Sequence, residues 1–295
     1  MNGLASSTRA ASAGSGDVPL AAAAVLARAG GENFPVALRL LPRSARRDLL
    51  ALYGFARLVD DLGDEAPGDR LAALDAVEAD LDRAYRGAAR HPLLRRLEPV
   101  LRRHDLPREP FAALIEANRR DQLVHRYPSW EALRGYCALS ADPVGRLVLR
   151  VFGAATPARD LLSDSICSAL QLIEHCQDVA EDRGRGRVYL PAEDLDRFGC
   201  VEGDLAASPA PAALRAAIAF EVARARDLLA LGEPLLGELR GSARLAVAGF
   251  AAGGHAACDS LERAGFDPGA GRARRRDVAR WMIRLLRRSR PRGTA

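Results

Sequence analysis

The sequence predicts an all-α protein folded as one large helical domain, and three observations point there. Alanine and leucine dominate a chain of 295 residues in which aromatic residues make up only 5%, and both are strong helix formers. Apolar residues recur at three- and four-residue spacing in segment after segment. No stretch alternates apolar and polar residues as a strand does, and no internal repeat of about 20–50 residues is evident.

Residues 1–17 are rich in Ala, Ser and Gly and read as a disordered tail. Segment 18–27 imitates a signal-peptide core. Only Arg9 precedes it, Asp17 interrupts it, and its pattern runs on into the folded region, taken as 18–270. Segment 44–66 carries a wide apolar stripe at 49, 50, 52, 53, 55, 56, 58, 59 and 62, and Pro67-Gly68 ends it. Helices are expected at 71–86, 93–104, 110–124 and 131–153, punctuated by His91-Pro92, Pro107 and Pro128. Segment 160–182 repeats the wide stripe and runs to Gly184; 212–231 and 241–264 complete the bundle. Residues 271–295 form an arginine-rich C-terminal segment.

Composition narrows the function classes. The chain is 48% hydrophobic and 27% charged, ordinary for a soluble globular protein. All 43 basic residues are arginine, and the net charge of +5 suits an anionic substrate or membrane surface but is too weak to indicate nucleic acid. The five cysteines, 137, 167, 176, 200 and 258, form no CxxC pair and read as free thiols in a reducing cytoplasm. No apolar run is long enough to span a bilayer. Ten arginines between 272 and 292 surround Trp281, Met282, Ile283, Leu285 and Leu286, a basic amphipathic pattern suited to anionic lipid. Without interleaved aromatic platforms, nucleic acid is not expected there either. Nothing in the sequence gives the oligomeric state.

Two acidic clusters stand where carboxylates are electrostatically unwelcome. Asp60, Asp61 and Asp64 fall at the predicted end of one helix, and Glu174, Asp178 and Asp182 at the end of another. A helix C-terminus favours cations, and like charges four residues apart repel. Helical spacing puts Tyr53, Arg57, Asp60/Asp61 and Asp64 on one face, and Gln171, Glu174, Asp178 and Asp182 on another. Two such polar stripes on largely apolar helices, facing each other, would make a pocket with carboxylates on opposing walls. Magnesium, with manganese as a substitute, is the expected cofactor, because it takes oxygen ligands and keeps positions for phosphate and water. Bridging metal would grip a diphosphate and stabilise its departure. Arg57 would pair with phosphate oxygens, and the aliphatic remainder would take a long hydrocarbon. His175 lies about 100° off the second stripe and reads as a packed or solvent-facing residue.

These residues resemble the squalene/phytoene synthase family. The similarity runs from Asn33-Phe34-Pro35 through Tyr53-Gly54-Phe55-Ala56-Arg57-Leu58-Val59-Asp60-Asp61. It continues in Arg126-Tyr127-Pro128-Ser129-Trp130, in Tyr136-Cys137 through Ala141-Asp142-Pro143-Val144-Gly145, and in Gln171 through Gly186-Arg187-Val188-Tyr189-Leu190-Pro191. The resemblance implies a single isoprenoid-synthase bundle with a central cavity between two Asp-rich helices. It implies metal binding by Asp60, Asp61 and Asp64 in the first motif and by Asp178 and Asp182 in the second, with Glu174 as a further ligand. It implies diphosphate binding by Arg57 and a cavity lined by Phe34, Tyr53, Tyr136 and Gln171. Glu174 stands where the family usually has asparagine, and Ala141-Asp142 departs from its usual Ala-Gly.

Within the family the second motif looks most like the bacterial hydroxysqualene synthases of hopanoid biosynthesis. The expected reaction is magnesium-dependent ionisation of presqualene diphosphate, rearrangement, and capture by water. The alternatives are head-to-head condensation of two prenyl diphosphates and, in another class, a non-catalytic relative acting as an assembly factor. Retention of Asp60, Asp64, Asp178 and Asp182 disfavours the last. No nicotinamide cofactor is expected, since no GxGxxG follows a strand.

Overall fold

The computed structural model describes residues 41–270 and 273–289. The expected tail at 1–17 and the segment holding Phe34 lie outside them. The helices are α1 Arg43–Asp64, α2 Arg70–Tyr85, α3 Pro92–His104, α4 Glu109–Arg120, α5 Trp130–Ser140, α6 Asp142–Val151, α7 Pro157–Gln177, α8 Val179–Gly184, α9 Ala192–Arg197, α10 Ala212–Gly232, α11 Leu235–Glu238, α12 Gly241–Arg263 and α13 Arg275–Arg288. Two short 3-10 turns lie at Glu202–Ala206 and Pro268–Ala270. Among the described residues the one strand-like feature is an isolated bridge between Arg126 and Val188, and no helix is long and apolar enough to cross a membrane.

Local chemistry sets the helix starts. The side chains of Asp69, Ser129 and Thr156 accept from the backbone N–H three residues on, capping α2, α5 and α7. Pro92 and Pro157 occupy first-turn positions, where no N–H is needed. The expected helix at 131–153 is two helices meeting at Ala141, because Pro143 follows. Asp142, the departure from the family pattern, is buried there. It pairs with Arg134 at 2.8 Å and accepts from Ser168 Oγ at 2.8 Å. Burial still pushes its carboxyl up to about 6.

The core has two parts. One is built by α1 to α4 with α6 and centres on Phe55 and Phe111, whose rings meet edge-on at 5.1 Å. The other is built chiefly by α5, α7, α10, α12 and α13. Helix α13, the described part of the arginine-rich C-terminal segment, joins this second part, with Val278, Met282 and Leu285 buried. Trp281 stacks on His255 at 4.2 Å and donates to Asp259 at 2.6 Å. All five cysteines are free thiols.

Candidate active site

Helix α1 delivers the first acidic cluster without a break, and its last turn holds no basic residue. Asp61 is turned inward, with 1% exposure, and lies 2.7 Å from Arg57 Nε one turn earlier. Asp60 takes the other side. Its side chain is exposed. Poor solvation, with smaller contributions from Asp64 and Asp61, pushes its carboxyl up to about 6. A hydrogen bond of 3.1 Å from Asn118 Nδ2 and the charge of Arg57 offset this only in part.

Gly63 sets how closely α4 approaches. A Cβ there would sit 2.3 Å from Asn118 Oδ1, so a larger residue would displace the side chain that bonds Asp60. Gln122, one turn past Asn118, donates to the Gly63 carbonyl at 2.9 Å.

The second cluster differs from expectation. Helix α7 stops at Gln177 and Asp178 caps it, so 160–182 is not one helix. Glu181 and Asp182 open the short helix α8. Asp182 therefore sits at a helix N-terminus, where a carboxylate is favoured, and not at a C-terminus. The stripe Gln171, Glu174, Asp178, Asp182 bends at this break. Glu174 is exposed. Gln171 lies 3.2 Å from His175, which is buried face-on against Tyr189 at 3.9 Å with its Nδ1 3.7 Å from Asp182. His175 is thus a packed residue.

Arg187 ties the two clusters together. Its guanidinium, almost fully buried, donates to Asp64 Oδ1 at 2.6 Å, while its backbone N–H donates to the Asp182 carbonyl at 2.9 Å. Arg185 reaches the other Asp64 oxygen at 3.5 Å. Beneath this contact lies a buried polar network. Asp121, at the end of α4, accepts from Tyr136 Oη at 2.6 Å and from Tyr189 Oη at 3.0 Å. Burial raises the Asp121 carboxyl above its ordinary range despite both bonds. The rings of Tyr127, Tyr136 and Tyr189 pack together at 5.4–5.8 Å.

Tyr53, one turn before Arg57, lines an apolar recess of about 70 Å³ together with Leu49, Leu52, Ala56, Leu114, Val144, Leu147 and Val148. Tyr53, Arg57, Asp60, Asp61 and Asp64 thus all lie on α1, with Asp61 turned inward and Asp60 outward, and Arg187 connects Asp64 to the second cluster. Tyr136 is buried in the network below, not at a surface. Asn118, Asp121, Arg187 and Tyr189 belong to the site without having been singled out for it. The i, i+4 spacing of Asn118 and Gln122, which puts both on one helical face, was a readable signal.

Among the described residues no group of three or more His, Cys, Asp or Glu side chains is placed to hold a metal ion. The donor set nonetheless suits magnesium, which takes one or two carboxylates and completes its shell with phosphate and water. Asp60, a hard oxygen donor whose charge the protein leaves poorly offset, is the observation that supports the fit.

Fold and site define a class: all-α bundles in which two aspartate-rich segments are joined, here through Arg187. The chain belongs to the squalene/phytoene synthase family, whose pattern matches residues 27–282, and it is an enzyme of that type. It is 37% identical over 206 residues to a hydroxysqualene synthase of Zymomonas mobilis, covering 67% of each chain. It is equally 37% identical over 198 residues to a presqualene diphosphate synthase of Rhodopseudomonas palustris, covering 66% of this chain and 71% of the relative. The crystal structure of squalene synthase HpnC from Alicyclobacillus acidocaldarius is similar with a TM-score of 0.75 and 45% identity, over 82% of this chain and 92% of that one. A dehydrosqualene synthase crystallised with ligand has a TM-score of 0.80 at 22% identity, which shows the shared fold.

Proposed function

We propose that this protein is a hydroxysqualene synthase that ionises presqualene diphosphate in a magnesium-dependent step and lets water capture the rearranged cation, within hopanoid biosynthesis. The observation that carries the reading is the Asp64–Arg187–Asp182 junction, which sets two acidic clusters and a buried arginine at one place, while an apolar recess opens further back along α1 at Tyr53. The 37% identity to a hydroxysqualene synthase is compatible with this reading, and the equal identity to a presqualene diphosphate synthase leaves the choice within the family to experiment.

The protein's own groups have distinct tasks in this reading. Asp60, Asp64, Asp178 and Asp182 would hold magnesium, with Glu174 at the edge of the set. Bound metal would supply charge to stabilise the departing diphosphate. Arg57 binds diphosphate oxygens, and the buried carboxylate of Asp61 orients its guanidinium. The recess beside Tyr53 takes part of the hydrocarbon and keeps water from the early cation. Gln171 and Tyr136 shape the far wall, Tyr136 through its bond to Asp121.

Incubation with presqualene diphosphate and, separately, with farnesyl diphosphate tests the reading. Hydroxysqualene from the first, carrying ¹⁸O from labelled water and lost on chelation, is the expected result. Conversion of farnesyl diphosphate to presqualene diphosphate, with the first substrate untouched, would instead make the protein a head-to-head condensing synthase, the reading that the Rhodopseudomonas palustris relative favours.

A further inference from the structure

We propose that the outward face of α13 docks this protein onto anionic lipid bilayers by charge, without inserting an apolar face. Charge along the chain is strongly asymmetric. Ten of the 43 basic residues and one of the 38 acidic ones fall in 272–292. That segment carries a net nine positive charges, and the remaining residues together carry a net four negative.

The fold decides how this charge is used. An amphipathic helix that enters a bilayer keeps its apolar side for the lipid. In α13 that side is already occupied: Val278, Met282 and Leu285 are buried in the bundle. The interfacial aromatic is committed too, since Trp281 stacks on His255 and donates to Asp259. Both ends of the helix are fastened. Arg263 pairs with Asp277 at 3.0 Å, and Arg244 donates to the Leu286 carbonyl at 2.7 Å.

What remains outside is arginine. Arg276, Arg280, Arg284 and Arg287 recur at helical spacing on the exposed side, with Arg275 and Arg288 beside them. The acid within their reach is Asp277, 3.9 Å from Arg276 and 3.7 Å from Arg280, and it is shared with Arg263. Among the described residues no ion pair engages Arg284, Arg287 or Arg288, although Arg284 lies over the Trp281 ring at 4.6 Å. One exposed apolar side chain, Ile283, stands in the patch. A rigid helix with a row of guanidinium groups fits a surface of phosphate-bearing headgroups, each arginine adding attraction that salt screens.

The test uses the full chain, sedimented with vesicles of phosphatidylcholine alone and with vesicles containing about 30% phosphatidylglycerol. It needs no substrate, so it stands or falls separately from the proposed reaction. Binding is expected only to the anionic vesicles and is lost in about 0.5 M salt. The variant Arg280→Gln/Arg284→Gln/Arg287→Gln should lower the partition coefficient on the order of a hundredfold. Ile283→Ala should leave it within about twofold, because nothing apolar is inserted. Equal binding to neutral vesicles, salt-resistant binding, or a large loss with Ile283→Ala would overturn the proposal. So would preference for a single-stranded RNA homopolymer when both are offered. If the triple variant loses helicity, the salt and lipid-composition arms on the unaltered chain decide the matter.

Discussion

The two acidic helix ends reach the same part of the bundle by opposite electrostatic routes. At the end of α1 the helix runs on unbroken, no basic residue softens its last turn, and Asp60 is left crowded and poorly solvated. At the second cluster the backbone breaks at Asp178, α8 begins, and Asp182 gains a favourable helix start with His175 nearby. One end holds a carboxyl raised above its ordinary range; the other places its acid at a helix start. Destabilised groups of the first kind are where binding and catalysis concentrate. The second end serves as the anchor against which the first is held, through Arg187.

Replacing Asp60 should produce the largest effect. Asp60→Asn is expected to cut pyrophosphate release by more than about a thousandfold. It should also stabilise the fold, because the acid's pKa is raised on folding. Stability from such a group is intact below the ordinary carboxylate pKa and lost as pH rises through about 6. The variant should therefore melt higher than the parent at pH 7 and equally at pH 4. Solvent reaching Asp60 limits the gain to about 1 kcal/mol. A parent-like melting temperature at pH 7 would remove the contrast drawn between the two ends.

Arg187→Gln comes next. Breaking a largely buried pair should cost about 2–3 kcal/mol in urea unfolding. A double-mutant cycle with Asp64→Asn should return a coupling above about 1 kcal/mol. Additive effects would mean that the two clusters are neighbours and not a unit.

Tyr189→Phe removes one of the two tyrosine hydrogen bonds to the buried Asp121 carboxyl, at an expected cost of about 1–2 kcal/mol by chemical denaturation. The smallest change is expected from Glu174→Asn, which restores the family's usual residue at an exposed position. Stability should stay within about 0.5 kcal/mol, and turnover should hold within severalfold. A collapse of turnover would make Glu174 an indispensable ligand despite its exposure.

Much of this was legible in the sequence. The wide apolar stripe of 44–66 became α1 almost residue for residue, because its pattern is local and its stop, Pro67-Gly68, is chemical. The polar face Tyr53–Arg57–Asp60–Asp64 followed from spacing alone. The break at Asp178 did not, since no proline or glycine marks it and helical periodicity can be continued through it. Asp121 and Arg187 were hidden for a different reason. Asp121 is bonded by Tyr136 of α5 and Tyr189 of the segment after α8, and Arg187 bonds Asp64 at the end of α1, so only tertiary packing brings these partners together. The amphipathic pattern at the C-terminus was visible, but not whether its apolar side would meet lipid or protein; burial of Val278, Met282 and Leu285 answers that.

Gly63 gives the two unspecified letters of the Asp-Asp-x-x-Asp signature unequal meaning. Leu62 occupies a half-buried position with latitude, whereas its successor is packed so closely on α4 that any side chain there must displace Asn118. A saturation library across both codons should retain many survivors at the first and almost none at the second. Such a motif is better searched for by its narrow waist than by its acids alone.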